Sequence, residues 1–161
     1  MTDLSRKFLV VSDDTEECVS AAVFAGLRAK AVHAGLVILR CAKTPALGGW
    51  IGLDKDISQD ALDAARLKAR QHADHVETRT GVMAELVISE DDPLDAIRKL
   101  VEADPAIKSL VLAVGSGRWG PGPLVSRLGK GRPLSVRPIA VTVIPGGLSD
   151  RQVDEMGGLA G

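Results

Sequence analysis

Apolar and polar positions follow two periods that alternate along the chain. Lys7 to Ser12 (KFLVVS) is a short β-branched apolar run with no polar face, the pattern of a strand covered on both sides. Asp13, Asp14 and Thr15 end it. Asp14 or Thr15 can cap a helix, and Glu16 and Glu17 place acids in its first turn, where the helix dipole favours them. Cys18, Ala22, Ala25, Ala29 and Val32 then recur at spacings of four and three, which predicts a helix to about His33. Its small side chains let it lie close to a sheet. Gly35 reads as its C-terminal stop, and Leu36 to Cys41 (LVILRC) as a second strand. A helix rather than a tight turn joins the two strands, so they should run parallel with a right-handed crossover.

The alternation repeats. Ser58 to Glu77 reads as a second helix with Ala61, Ala65, His72 and Val76 on one face, and Val82 to Ser89 as a third strand. Asp92 followed by Pro93 marks a helix start, with Leu94, Ile97, Leu100 and Val101 as its buried face. Ile107 to Val114 is a fourth strand; a Gly/Pro-rich loop and a short helix lead to a last strand, Ile139 to Ile144. Between the second strand and second helix, Pro45, Gly48, Gly49, Trp50 and Gly52 break any period, so Ala42 to Asp56 reads as a long loop, either a lid or a plain connector. The class is α/β, a single doubly wound, Rossmann-like parallel sheet. Residues 1–147 are expected to form one domain and residues 148–161 a flexible polar tail.

Composition narrows the functions. There is no Tyr, and the aromatic residues are Phe8, Phe24, Trp50 and Trp119. Base-stacking platforms need more aromatics than this, so no nucleic-acid partner is expected. Cys18 and Cys41 form neither a disulfide framework nor a CxxC pair, and the N-terminus is neither a signal peptide nor a membrane span. A reducing, cytoplasmic setting without a membrane partner is the expectation. Charge is uneven: Pro105 to Ser149 contains no acid but holds Lys108, Arg118, Arg127, Lys130, Arg132 and Arg137. That stretch is either a solvated basic face or an anion site.

In an open parallel sheet, ligands sit at the carboxyl ends of the strands where strand order reverses. Ser12, Asp13 and Asp14 follow the first strand, and Cys41 ends the second. After the fourth comes Gly115-Ser116-Gly117-Arg118-Trp119-Gly120-Pro121-Gly122-Pro123, in which glycines allow close backbone approach and Gly122-Pro123 opens a short helix to about Arg127 or Gly129. Gly115, Ser116, Gly117, Arg118, Gly120, Gly122, Ser126 and Arg127 are the candidate nucleotide-binding residues here, the helix start suiting a phosphate. The segment is neither GxGxxG nor GxxxxGK[ST], and a purely structural turn remains the alternative. His72 and His75 stand three apart without a ligand set for a metal, and Ser116 lacks the GxSxG context of a nucleophile. Cys18, on the small-residue face, reads as a buried structural thiol. No catalytic residue and no metal site emerge.

These residues resemble the universal stress protein family. FLVVSDDTEECVSAAVFAGLRAKAVHAG looks like its first strand, strand-end Asp (Asp13) and following helix; EDDPLDAIRKLVEAD resembles its G-x-P-x-x-x-I helix start with Asp91 in place of Gly; LVLAVGSGRWG and PIAVTVIPG look like its fourth strand, glycine loop and last strand. The resemblance implies a five-stranded sheet in the order 3-2-1-4-5, a homodimer through the last strand, contact of Asp13 with the adenine-ribose part of a nucleotide, and, in some members, binding of ATP, with Mg²⁺. The members that bind ATP carry Gly, two residues, Gly, nine residues, then Gly-Ser or Gly-Thr. Gly117 and Gly120 match the first half; at the second the chain has Gly129-Lys130-Gly131-Arg132. Three functions follow: a stress-response or regulatory module that binds an adenine nucleotide such as ATP or AMP; a dimeric protein-interaction module without nucleotide; and a weak ATP-hydrolysing enzyme, which the lack of a base–nucleophile pair disfavours.

Overall fold

The computed structural model describes residues 3–42, 59–115 and 120–158. Five strands, β1 (Asp3–Ser12), β2 (Ala34–Cys41), β3 (Glu85–Ser89), β4 (Ile107–Ala113) and β5 (Ala140–Ile144), alternate with α1 (Glu16–Ala31), α2 (Gln59–Thr80), α3 (Pro93–Ala103) and α4 (Pro123–Gly129), and α5 (Asp150–Gly157) follows β5. All strand pairs are parallel, in the order β3-β2-β1-β4-β5. The class is as the alternation of strands and helices predicts, and the strand order is the one that the family resemblance implies.

Successive strand residues point to opposite faces, and the core divides accordingly. Val10, Leu36, Ile38 and Val111 face α1, α2 and α5, while Leu9, Val37, Leu39, Leu110 and Leu112 face α3 and the half-buried Leu124, Val125 and Leu128 of α4. The reversal of direction after β3 sends α3 and α4 to the second face, since right-handed crossovers in opposite directions cover opposite sides. Side-chain size sets the spacing of the first face. Ala21, Ala22, Ala25 and Ala29 of α1 and Ala65, Ala69 and Ala73 of α2 are buried, and so is Gly26, where the two helices touch.

Local chemistry sets the boundaries. Thr15, not Asp14, caps α1: its Oγ1 accepts from the Cys18 N–H at 3.3 Å. Asp92 caps α3, accepting from the N–H groups of Leu94 and Asp95 ahead of the expected Pro93. The stop after α1 differs from the sequence expectation. His33 makes the left-handed turn, at φ 57°, and Gly35 lies inside β2 with its backbone against Lys7.

The largest departure is at the C-terminus. Residues expected to form a flexible tail instead hold α5, capped by Ser149 and Gln152 in a reciprocal capping box. Val153 and Gly157 are buried against α1, and Arg79 of α2 pairs with Asp150 and Asp154. Polar composition concealed a helix that needs only one narrow apolar stripe. Among the described residues, no helix is long and apolar enough to cross a membrane.

Candidate functional site

A cavity of about 300 Å³ opens at the carboxyl edge of the sheet. It lies where strand order reverses, between β1 and β4, the position that topology alone makes available to a ligand. One wall is polar: Ser12, Asp13, Asp14 and Thr15 from the β1–α1 turn, and Arg40 from the end of β2. The remainder is chiefly apolar, with Leu112 and Ala113 of β4, Pro93 of α3, and Leu124 and Val125 of α4. A mostly apolar concavity with a few convergent polar groups suits a planar ring with a hydrophilic substituent.

The β1–α1 turn is held by its own side chains. Asp13 Oδ1 accepts from the Thr15 N–H at 2.8 Å and from its hydroxyl at 2.5 Å, steadying the residue that caps α1. The Asp13 carbonyl accepts from the Cys18 thiol, and the Asp13 N–H donates to the same sulfur. Burial pushes the Cys18 thiol up to about 12, so it remains protonated and structural, as the small-residue face suggested. Cys41 lines the cavity, but burial and the nearby Asp92 and Asp91 carboxylates push it up to about 11, which removes it as a nucleophile near neutral pH.

Two residues that the sequence did not assign to the site organise the polar wall. Arg40 is 7% exposed. Its guanidinium pairs with Asp14 and donates to Ser12 Oγ at 3.3 Å. The Arg40 hydrogen bond, above all, holds the Asp14 carboxyl below its ordinary value. Ser12 Oγ also lies 2.6 Å from His72 Nδ1 of α2. A signal for Arg40 was present: a charge inside the run LVILRC must find a partner if buried. His72, placed from the sequence on the alanine face of the second helix and weighed there only as a metal ligand, is the polar member of that face.

The glycine segment is only partly described. Ser116, Gly117 and Arg118 lie outside the described residues, as does the Ala42 to Asp56 loop apart from Ala42 itself. Gly115 lines the cavity, and its N–H donates to Pro121 O at 3.0 Å, drawing the two ends of the segment together. A Cβ on Gly115 would stand 2.9 Å from Gly120 O, so close backbone approach requires glycine there. Gly122, at φ 99°, precedes α4 and lines the cavity. Ser126 and Arg127 lie further along α4, outside the cavity lining; Arg127 Nε donates instead to Pro133 O.

Among the described residues, the cations of the basic stretch do not converge on the cavity. Arg137 donates to the carbonyls of Val101 and Asp104, satisfying the C-terminal end of α3. Lys108 is exposed near the start of β4, at the opposite end of the strand from the cavity, and Lys130 and Arg132 follow the far end of α4. The described cations of that stretch are therefore spread over both ends of the sheet. Among the described residues, no group of three or more His, Cys, Asp or Glu side chains is placed to hold a metal ion.

Sheet order and cavity position define a Rossmann-like α/β protein with its site at the topological switch point. No protein-family model matches the sequence, and no curated protein matches it. Solved structures match over most of its length. The universal stress protein UspA from Lactobacillus plantarum is 23% identical with a TM-score of 0.62, over 89% of this chain and 99% of that one. A universal stress protein in complex with cAMP is 17% identical, TM-score 0.58, over 90% of this chain and 100% of that one. The universal stress protein from Archaeoglobus fulgidus in complex with dAMP is 15% identical, TM-score 0.58, over 88% and 98%. The chain has the universal stress protein fold.

Proposed function

We propose that this protein is a universal stress protein-like regulatory module that binds an adenine nucleotide in the cavity between β1 and β4. The observation that carries the reading is the cavity itself, at the switch point of the sheet, with an apolar interior beside the Ser12-to-Thr15 turn and lined by Gly115, Pro121 and Gly122. Two proteins of this fold are solved with cAMP and dAMP, which supports an adenosine monophosphate as the first ligand to test. Gly115, Gly120 and Gly122 are the proposed backbone contacts, with Ser12, Asp13, Asp14 and Cys41 on the facing side; Ser116, Gly117 and Arg118 complete the proposed set. Mg²⁺ enters only as the counter-ion of ATP. The test is calorimetric titration with cAMP, AMP, ADP and ATP at low and at physiological salt. Binding that weakens with salt supports a charged ligand at this edge. No heat from any of the four at millimolar concentration would overturn the reading.

Asp13→Ala tests the turn. Its carboxylate is exposed and one oxygen is engaged by Thr15. If it also meets the nucleotide, affinity should fall by roughly 1–3 kcal/mol, the range for leaving a polar group without its partner. Loss of the support to the Thr15 cap alone should cost about 1 kcal/mol of stability and leave affinity unchanged. Melting and titration on the same variant separate the two.

A second reading has its own support. The second half of the glycine motif is missing, and Arg127 and Arg137 are spent on backbone carbonyls. That favours a module acting through protein contacts, with the homodimer as its first contact. β5 is an edge strand with Val143 38% exposed, and Val136, in the segment leading to it, is 89% exposed. An open apolar edge of this kind pairs with another chain, most often about a two-fold axis. Val143→Lys should shift a sedimentation profile from dimer to monomer at micromolar concentration. A wild type that already sediments as a monomer removes the dimer from either reading.

A further inference from the structure

The polar wall of the cavity rests on a residue outside it. His72 does not line the cavity, yet its Nδ1 lies 2.6 Å from Ser12 Oγ, which does. Arg40 Nη1 donates to the same oxygen at 3.3 Å, and the other terminal nitrogen of Arg40 holds Asp14. A guanidinium can only donate, so it occupies one of the two lone pairs of Ser12. The tautomer with its proton on Nε2 lets Ser12 donate to Nδ1 of His72, so that donation runs from Arg40 to Ser12 to His72.

We propose that His72 is a positioning residue for the cavity: by accepting the Ser12 proton it fixes Ser12 and the Arg40 guanidinium in the polar wall, and protonation of His72 rearranges that wall and weakens ligand binding.

The groups facing the imidazole come from each neighbouring element. Arg40 of β2 and Lys68 of α2 itself disfavour the imidazolium, and Asp13 and Asp14 of the β1–α1 turn favour it. The Cys18 sulfur of α1 lies 3.9 Å away and stays a neutral thiol. Burial is the largest influence, with Arg40 next, and the balance holds His72 below its ordinary 6.5. The neutral ring is thus the form present near pH 7. Once protonated, both ring nitrogens donate, so Ser12 Oγ meets two cationic donors and its own proton must turn elsewhere. The stability consequence has a definite sign. The unfolded chain takes up this proton more readily than the folded one, so the contribution is complete above about pH 6.5 and is lost as pH falls from there through the lower folded value.

The effect on ligand rests on the adenine-nucleotide reading, whereas the arrangement of the wall does not, and the experiment keeps them apart. Nitrogen-detected NMR follows the His72 ring and the Arg40 Nε signal from about pH 7.5 to about pH 5. The expected result is an Nε2–H tautomer for His72, titrating below the ordinary imidazole value of 6.5, with the Arg40 signal moving in step. In His72→Asn the amide oxygen stands in for Nδ1 without titrating, and the Arg40 signal should stay constant. Cyclic AMP, whose diester does not titrate in this range, is the binding probe. Wild-type affinity should fall about three- to tenfold between the two pH values, the worth of one hydrogen bond. His72→Asn should bind equally at both, and His72→Phe weakly at both. An Nδ1–H tautomer, an Arg40 signal indifferent to His72, or identical pH profiles in wild type and His72→Asn would overturn the inference. If cyclic AMP binds at neither pH, the nucleotide reading fails, and the tautomer and the Arg40 signal still decide the positioning role.

Discussion

Replacing Gly26 with Val should lower the unfolding free energy by about 3 kcal/mol, at the upper end of what overpacking a core usually costs. Gly26 lies where α1 meets α2. A Cβ there would stand 2.8 Å from Val76 Cγ1 and 3.2 Å from the Thr80 side chain. Neither neighbour can retreat easily. Val76 is fully buried, and Thr80 Oγ1 donates to Val76 O while accepting from the Val82 N–H. Intrinsic helix propensity points the other way, since Ala is favoured over Gly by about 1 kcal/mol inside a helix. Gly26→Ala therefore weighs propensity against packing, and we expect packing to prevail, with a smaller loss than for Val. Adding Val76→Ala removes the obstructing methyl group, so the double variant should show a coupling of about 0.5–3 kcal/mol. Urea melts of the four proteins measure this. A Gly26→Ala protein more stable than wild type would show that the helices can separate at little cost.

The second large effect concerns ligand. Gly115→Val should reduce adenine-nucleotide affinity at least tenfold, equivalent to about 1.4 kcal/mol. The atoms that a Cβ would meet, Gly120 O at 2.9 Å and the Pro121 carbonyl group beyond it, all belong to the backbone. A substituted side chain has no flexible partner to push aside, so the contact from the Gly115 N–H to Pro121 O must open. Both ends of the glycine segment line the cavity, and the wall they form would move with that contact. The sheet should survive, because β4 remains paired on both sides and the Val114 N–H still reaches Ile144 O. Titration and melting on one preparation distinguish a damaged site from a damaged fold. Wild-type affinity in a stable Gly115→Val protein would place the nucleotide away from this segment.

Much of the architecture was legible because it depends on local rules. Continuous apolar runs marked strands buried on both faces, and helical spacing of small residues marked the crossovers. Asp92-Pro93 marked the start of α3, whose cap and first residue they are. α5 was also written locally, as Ser149 and Gln152 three positions apart, but its polar composition and the glycines around it masked the cap. The reverse holds for the basic stretch, where counting charges along the chain left a solvated face and an anion site both open, and the described cations do not converge on the cavity. Arg137 is drawn to the end of α3, some 36 positions away from Val101 in sequence, because unpaired helix carbonyls attract a donor irrespective of chain distance.

The sequence by itself determined a parallel α/β sheet, the Asp92-Pro93 start of α3, and the two segments that end β1 and β4. Only the tertiary structure decided the polar wall of the cavity. Ser12, Arg40 and His72 come from three different elements, and nothing in their spacing links them. The reason is physical: a strand or cap is specified by neighbours within a few residues, whereas a buried guanidinium or hydroxyl takes whichever partner packing brings within hydrogen-bond reach. Arg40 was bound to find an acceptor once LVILRC became a central strand. That the acceptors would be Asp14 and Ser12, with His72 behind them, depended on α1 and α2 sharing one face of the sheet.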